Sequence, residues 1–209
     1  MNINYDYLFK VIVLGDCRVG KSTLCALGTN NSFNTNTYIE TIALDFISHR
    51  QKIDDESIKI HFWDTTGNPL YSNIINSYYK DMAGIFFVFD VTNRVSFKNI
   101  QYYYKSVLDK TQGKRIKFFL IGNKSDEQNR EVTAYEGDKL ATQLKATYKE
   151  TNKNDFSMPS VIEECVREMY VNINRLDNIV NRKNITSHIP LHTEEDDSIK
   201  NKLMCCSIL

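Results

Sequence analysis

One short stretch near the N-terminus constrains the fold of this chain more than any other. Residues 15–22 read Gly-Asp-Cys-Arg-Val-Gly-Lys-Ser and fit the pattern G-x-x-x-x-G-K-S/T. The apolar run Leu8 to Leu14 precedes this stretch, and a segment able to start a helix follows it. In this context the pattern predicts a loop whose backbone N–H groups surround phosphate oxygens at the positive end of a helix. The alternative is a glycine-rich turn that occurs by chance.

The residue types of this loop suit phosphate and metal binding. Lys21 would place its ammonium group between terminal phosphates, and the Ser22 hydroxyl would be a hard oxygen ligand for Mg²⁺. Cys17 is either a redox-sensitive thiol or a tolerated small residue, and Arg18 either reaches a phosphate or faces solvent. The predicted cofactor-binding residues of the loop are Gly15, Asp16, Cys17, Arg18, Val19, Gly20, Lys21, Ser22 and Thr23.

Composition and charge exclude several classes of protein. The 209 residues suffice for one α/β core and a tail, but not for two full domains. The chain has 26 Lys and Arg residues and 26 Asp and Glu residues. It therefore lacks the excess of positive charge that would predict binding to nucleic acid. There is no run of 18 apolar residues and no signal pattern at Met1 to Tyr7, so we expect a cytosolic protein without a membrane span. The five cysteines, odd in number and clustered, do not resemble a disulfide framework.

The rest of the chain alternates between strand and helix patterns. The predicted strands are residues 8–14, 43–53, 57–64, 84–90, 116–122 and 147–150. The predicted helices are residues 21–27, with Gly28 ending the helix, 96–109, 135–144 and 159–181. The turn Asp54-Asp55-Glu56 predicts that the second and third strands pair as a hairpin. This alternation predicts an α/β fold with a mostly parallel sheet and helices on both faces.

Three further features suggest a nucleotide site. Asp64 ends a predicted strand, where it can hold Mg²⁺, and the amide of Gly67 can approach a terminal phosphate. Asp126 follows another strand, and its carboxylate would accept two hydrogen bonds that guanine donates and adenine cannot. Thr41, in a polar loop, is a candidate Mg²⁺ ligand that a third phosphate would order. Taken singly, Asp64 could be a helix N-cap, Asp126 could be part of a turn, and Thr41 could be an ordinary loop residue.

With these motifs the sequence resembles the small GTPases of the Ras superfamily, and within it the Rab family. The resemblance covers residues 8–180. The motifs that carry it are Gly15 to Ser22, Thr41-Ile42-Ala43-Leu44-Asp45-Phe46, Trp63-Asp64-Thr65-Thr66-Gly67 and Asn123-Lys124-Ser125-Asp126. Residues 39–46 are similar to the Rab effector loop, and residues 78–79 with 84–85 are similar to the second switch and its exit. The resemblance implies a Ras-like P-loop G domain over residues 1–181, with six strands of which one is antiparallel.

The resemblance also implies roles for individual residues in a protein that binds GTP or GDP with Mg²⁺ and hydrolyses GTP. Lys21 would contact the phosphates, Ser22 and Thr41 would bind Mg²⁺, and Asp64 would lie behind the metal. The residues implied to surround the guanine base are Phe33, Asn123, Lys124, Asp126, Asn152 and Lys153. Phe33 could instead be a loop residue anchored in the core. At Asn152 and Lys153 the alignment could be shifted by one residue.

One departure from the family concerns hydrolysis. Asn68 stands where the family has Gln, a residue that orients the attacking water. Since Asn is one methylene shorter, we expect slow hydrolysis from a catalytic set of Asn68, Lys21 and Thr41. Pro69-Leu70 replace a charged pair of the family, which alters partner recognition at this switch. A scaffold that holds GTP or GDP without turnover is an alternative, and so is an ATP-dependent nucleotide kinase, against which Asp126 argues.

The C-terminal region, residues 182–209, is predicted to be a flexible tail with a lipid anchor. It contains the acidic run Glu194 to Asp197 and ends Cys-Cys-Ser-Ile-Leu. Cys206 satisfies a prenylation pattern in which the final Leu favours geranylgeranyl, and Cys205 offers a second site. Free terminal thiols are the alternative. The resemblance implies a monomer on the cytoplasmic face of intracellular membranes, with a cytosolic pool. Its partners would be effectors, an exchange factor, a GTPase-activating protein and a prenyl-binding escort.

Overall fold

The structure of the protein is a computed structural model. It describes residues 5–29, 41, 44–68, 71, 75, 78–79, 81–111, 116–154 and 157–177. The chain divides into two compact units, Met1–Asn174 and Arg175–Leu209. Of the second unit the structure describes residues 175–177, so the predicted boundary after residue 181 lies outside the described residues.

The described residues form strands and helices in the predicted alternating order. The strands are β1 (Tyr7–Leu14), β2 (Leu44–Ile53), β3 (Glu56–Thr65), β4 (Gly84–Asp90), β5 (Lys117–Asn123) and β6 (Ala146–Thr151). The helices are α1 (Lys21–Gly28), α2 (Arg94–Thr111), α3 (Ala134–Leu144) and α4 (Ser157–Asp177). Among the described residues, no helix is both long and apolar enough to cross a bilayer.

The six strands form one sheet in the order β2-β3-β1-β4-β5-β6. β2 is antiparallel to β3, and every other neighbouring pair is parallel. This confirms the predicted fold class, including the hairpin between β2 and β3. Asp54 in the hairpin turn has a φ of 53°, a left-handed conformation in which Asp is one of the favoured residues.

Helices cover both faces of the sheet, as predicted. On one face α1 and α4 pack against alternate strand residues, among them Val11, Phe86 and Phe119. The ring centroids of Phe86 and Phe119 lie 5.1 Å apart. On the other face, the ring of Phe97 in α2 contacts Phe89 at 4.9 Å between centroids. Because both faces are covered, β4 is buried at every position, which explains its continuous apolar sequence.

α1 ends at Gly28, as predicted, and Thr29 is its C-cap. A Cβ on Gly28 would lie 2.5 Å from Cγ1 of Ile162 in α4. Gly28 therefore allows α1 and α4 to approach closely. This packing role was not predicted, because a glycine needed for packing and a glycine that ends a helix give the same local pattern.

The topology brings the predicted motifs to one edge of the sheet. β1, β3, β4, β5 and β6 run in the same direction, so their carboxyl ends share that edge. Ligands of open α/β sheets bind outside this edge. The segments that follow β1, β3 and β5 are the three that the sequence analysis selected.

Candidate functional site

The loop between β1 and α1 has the backbone that its glycines predict. Gly20 has a φ of 94° immediately before α1, a conformation that L side chains rarely adopt. A Cβ at Gly20 would also lie 2.2 Å from Nδ2 of Asn123. A side chain at this position would therefore strain the loop and displace Asn123. Cys17 and Arg18 of the loop are exposed and Val19 is buried, while Thr23, which was also predicted, is half-buried in α1.

Lys21, the first residue of α1, is a buried cation next to the loop. The residue is 6% exposed, and its Nζ donates to the carbonyl oxygens of Gly15 at 2.9 Å and Asp16 at 2.7 Å. Burial lowers the pKa of Lys21, while the nearby Asp64 carboxylate acts in the opposite direction. A buried ammonium is costly unless it is paired. An anion bound in front of the loop would stabilise this charge.

Three oxygen donors from distant parts of the chain meet beside Lys21. The hydroxyls of Ser22 and Thr41 are 3.1 Å apart, and Thr41 donates to Oδ2 of Asp64 at 3.4 Å. Asp64 is 1% exposed, and burial raises the pKa of its carboxyl. Within the described part of the chain, the buried Oδ1 of Asp64 has no hydrogen-bond donor. Hard oxygens with one unsatisfied carboxylate atom fit Mg²⁺, which prefers such ligands.

The segment after β3 lies directly against residues 15–20, the phosphate loop between β1 and α1. A Cβ on Gly67 would lie 2.1 Å from the backbone N of Cys17 and 2.2 Å from the carbonyl carbon of Asp16. Only glycine permits this approach. Asn68 is half-buried, and its backbone N donates to Oγ1 of Thr66 at 3.3 Å. The predicted departures Pro69 and Leu70 lie outside the described residues.

Asn123 holds three loops together from the end of β5. The residue is 3% exposed. Its Nδ2 donates to the carbonyl oxygen of Val19 in the phosphate loop at 2.8 Å, and its Oδ1 accepts from Oγ1 of Thr151 at 3.1 Å. Lys124 pairs with the carboxylate of Asp90, at the end of β4. Thr151 and Asp90 were not predicted, although both are polar residues that end strands at this edge of the sheet.

The loop after β6 meets Asp126 through a residue that was not predicted. Asn152 is 8% exposed, and its Nδ2 donates to Oγ of Ser125 at 3.4 Å, while Lys153 is exposed. The side-chain amide of Asn154, one position beyond the predicted pair, donates to Oδ2 of Asp126. The assignment of Asn152 and Lys153 to the base stays a prediction. The predicted base contact Phe33 and the predicted lipidation sites Cys205 and Cys206 lie outside the described residues.

Two residues of α2 hold the phosphate loop from the side. Nδ2 of Asn99 donates to Oδ2 of Asp16 at 2.8 Å, and the hydroxyl of Tyr103 donates to Oδ1 at 3.0 Å. Both oxygens of the Asp16 carboxylate are therefore engaged by the helix. Because the Lys21 ammonium binds the backbone carbonyl of Asp16, the contacts to α2 also support the position of Lys21.

Removal of the Tyr103 hydroxyl should show how much its hydrogen bond to Asp16 contributes to the stability of the fold. We expect Tyr103→Phe to lower the free energy of unfolding by about 1–2 kcal/mol, since hydrogen bonds to charged groups contribute about this much. Tyr102→Phe is the matched control, because Tyr102 is the adjacent tyrosine and is 61% exposed. Urea denaturation of both variants checks the prediction. Equal effects of the two substitutions would show that the contact to Asp16 does not stabilise the fold.

Comparison with known proteins gives matches over most of the chain. A model of the Ras family matches residues 10–171. Ras-related protein Rab-8B of Homo sapiens is 32% identical over 207 residues, which is 98% of each chain. Ras-related protein Rab-13 of Mesocricetus auratus is 35% identical over 167 residues, 79% of this chain and 81% of the relative. Ras-related protein RABA1b of Arabidopsis thaliana is 32% identical over 215 residues, 98% of this chain and 96% of the relative. The family match includes the phosphate loop and the loops after β3, β5 and β6.

Proposed function

Because this chain belongs to the Rab family of the Ras superfamily of small GTPases, we propose that it is a GDP/GTP-switched regulator of intracellular membrane trafficking. The observation that carries the proposal is the meeting of Ser22, Thr41 and Asp64 beside the buried Lys21. These groups come from α1, from the loop before β2 and from the end of β3. One ligand with phosphates and a metal would engage all of them.

The proposed switch uses Thr41 as its sensor. Lys21 binds and orients the terminal phosphates, and Ser22, Thr41 and Asp64 hold Mg²⁺. Mg²⁺ held by these residues would supply positive charge that offsets the charge of the phosphates. The Thr41 hydroxyl contacts Ser22 and Asp64, so a metal ion held by these three groups would fix the position of Thr41. Presence or loss of the third phosphate would thereby change the loop before β2, which is the surface offered to effectors.

Recognition of the base is assigned to Asp126. Its carboxylate would accept from the N1–H and the exocyclic amine of guanine, whereas adenine presents an unprotonated N1. Asn123 and Lys124 support this loop through Val19 and Asp90. This arrangement favours a guanine nucleotide over the ATP-dependent kinase alternative.

The presence of Asn68 is compatible with two functions, a slow GTPase and a GTP- or GDP-binding scaffold. In the first, the protein hydrolyses GTP slowly and accumulates in its GTP form until a GTPase-activating protein acts. In the second, the protein is a scaffold that binds GTP or GDP without useful turnover. Both versions retain an exchange factor and effectors as partners. The rate of phosphate release, with and without activating proteins, separates them.

We further propose that the tail attaches the protein to the cytoplasmic face of intracellular membranes. The support is the terminal sequence, in which Cys205 and Cys206 form a prenylation pattern with a doubled cysteine. One lipid chain binds membranes reversibly, and two anchor stably. Geranylgeranyl modification would require a prenyl-binding escort for the cytosolic pool.

The nucleotide carried by the purified protein tests this function. We expect heat-denatured protein to release about one equivalent of GDP or GTP, because the site engages phosphate, metal and base at once. EDTA should accelerate release of bound fluorescent GDP at least several-fold, since removal of Mg²⁺ leaves Asp64 and the phosphates uncompensated. Excess ATP should not displace the nucleotide. Release of adenine nucleotide, or no effect of EDTA, would contradict the proposal.

A further inference from the structure

The backbone of Asp16 is in contact with two groups of the phosphate site. Its carbonyl oxygen accepts from Nζ of Lys21 at 2.7 Å. The segment after β3 packs against the same peptide group, since a Cβ on Gly67 would lie 2.2 Å from the carbonyl carbon of Asp16 and 2.7 Å from its carbonyl oxygen. A displacement of this peptide group would therefore move the ammonium group of Lys21, the backbone of Gly67, or both.

The side chain of Asp16 is held by α2. Asn99 and Tyr103 are four residues apart and therefore lie on the same face of this helix. Asn99 donates to Oδ2 of Asp16 at 2.8 Å, and the Tyr103 hydroxyl donates to Oδ1 at 3.0 Å. Burial raises the pKa of Tyr103, and the charge of Asp16 adds to this effect, so the hydroxyl remains a donor at neutral pH. Each carboxylate oxygen thus has its own donor, which fixes the orientation of the side chain.

α2 is a rigid support for these two donors, because the sheet holds it at several points. Ile100 of the helix is fully buried. The ring of Tyr104 contacts that of Phe118 in β5, with 5.5 Å between the centroids. The backbone N of Asp90, at the end of β4, donates to Oγ of Ser96 at 3.1 Å. The position of the Asp16 carboxylate is therefore set by a helix fixed to the sheet.

We propose that Asn99 and Tyr103 are positioning residues, which act through Asp16 to hold the phosphate loop in the arrangement that binds a third phosphate. This inference rests on the proposed guanine nucleotide function. The third phosphate is the sensitive part of the ligand, because the Gly67 amide is the group assigned to a terminal phosphate and its backbone packs on Asp16. A diphosphate depends less on this contact.

The ratio of GTP affinity to GDP affinity distinguishes positioning from support of the fold. A purely structural role would lower the free energy of unfolding and leave the ratio unchanged, since both nucleotides require the same folded site. A displaced Asp16 peptide group would weaken binding of the triphosphate more than that of the diphosphate. GppNHp, a GTP analogue with an imido group before the terminal phosphate, prevents hydrolysis from disturbing the measurement.

The experiment measures the Kd of GDP and of GppNHp, with Mg²⁺, for wild type, Asn99→Asp and Tyr103→Phe. Asn99→Asp keeps the shape of the side chain but replaces the donor by a carboxylate, which repels Asp16. We expect the affinity for GppNHp relative to GDP to fall by about 3- to 10-fold in Asn99→Asp, and by about 3-fold in Tyr103→Phe, which loses one hydrogen bond and adds no charge.

Two matched controls make the same chemical changes on the exposed face of α2. Gln101→Glu replaces an exposed amide by a carboxylate, and Tyr102→Phe removes an exposed hydroxyl. Both should keep the wild-type ratio. Thermal unfolding with GDP bound verifies that each variant is folded. If Asn99→Asp does not fold, Tyr103→Phe decides the test, because it is the more conservative change.

An unchanged or higher ratio in Tyr103→Phe overturns the inference, even if this variant unfolds more easily than wild type. A lower ratio in Asn99→Asp alone also overturns it, since the added charge would then explain the effect. Controls that change the ratio as much as the two variants do have the same consequence. If wild type does not prefer guanine to adenine nucleotides, the proposed function itself fails. A wild type that prefers guanine, with variants that keep its ratio, confines the failure to Asn99 and Tyr103.

Discussion

Lys21→Met is expected to lower the affinity for GDP and GTP by about 100-fold or more. The Lys21 ammonium is almost completely buried, and its protein contacts are two backbone carbonyl oxygens. Phosphate oxygens would add charge-assisted hydrogen bonds, each contributing up to about 3 kcal/mol, and every 1.4 kcal/mol changes an affinity tenfold. Titration with fluorescent GDP, in the presence of Mg²⁺, measures the loss.

Methionine has a similar length and no charge, since it lacks the ammonium group and carries sulfur in place of one methylene. We expect Lys21→Met to stay folded although it loses two hydrogen bonds to carbonyl oxygens, because it also removes the desolvation cost of the buried ammonium group. Lys98→Met, at an exposed position in α2, is the matched control and should keep wild-type affinity. Wild-type affinity in Lys21→Met would contradict the assignment of Lys21 to phosphate binding. An unfolded Lys21→Met would show that the two carbonyl contacts maintain the loop.

The order of elements was predictable because each element has a strong local signal. β4 was predicted with the same bounds as in the structure, since a strand buried on both faces is a continuous apolar run. The start of α2 was predicted two residues late. Oδ1 of Asn93 accepts from the backbone N of Val95 at 3.0 Å and of Ser96 at 3.2 Å, which allows the helix to begin at Arg94. The prediction followed apolar spacing and overlooked this cap.

The first residue of the last helix, α4, was also predicted two positions too late. Pro159 was predicted to begin it, but α4 begins at Ser157. Proline is tolerated in the first turn, where its missing N–H has no helical partner, so it marks the region of a helix start and not the first residue. Residues 178–181 of the predicted helix lie outside the described residues.

The site was predictable as a set of loops, but its side-chain partners were not. A motif locates Lys21 because loop chemistry demands adjacent residues of fixed type. Tyr103 contacts Asp16 across 87 residues, and Lys124 pairs with Asp90 across 34. Such pairs leave no spacing pattern, because the sheet creates them when it aligns the ends of its strands. Asn154 was missed for the same reason, since its contact with Asp126 depends on where the loop after β6 turns.

Asn68→Gln is expected to accelerate single-turnover GTP hydrolysis by about 10- to 100-fold, because an ångström of misplacement costs a positioned group about this much. The backbone of Asn68 makes two hydrogen bonds. Its N donates to Oγ1 of Thr66 at 3.3 Å, and its carbonyl oxygen accepts from the backbone N of Tyr71 at 3.2 Å. Both contacts oppose a shift of the Asn68 backbone that would compensate for a side chain shorter by one C–C bond, about 1.5 Å.

A third variant, Asn68→Ala, decides whether the native amide contributes to hydrolysis. If Asn68 does not reach the attacking water, Asn68→Ala should hydrolyse GTP at the wild-type rate while Asn68→Gln exceeds both. Equal GTP affinity in all three proteins confines the comparison to the chemical step. A wild type as fast as Asn68→Gln, with Asn68→Ala slower, would show that asparagine positions the water from this backbone. Three equal rates would mean that the residue after Gly67 does not position the water, and the scaffold alternative would then depend on other residues.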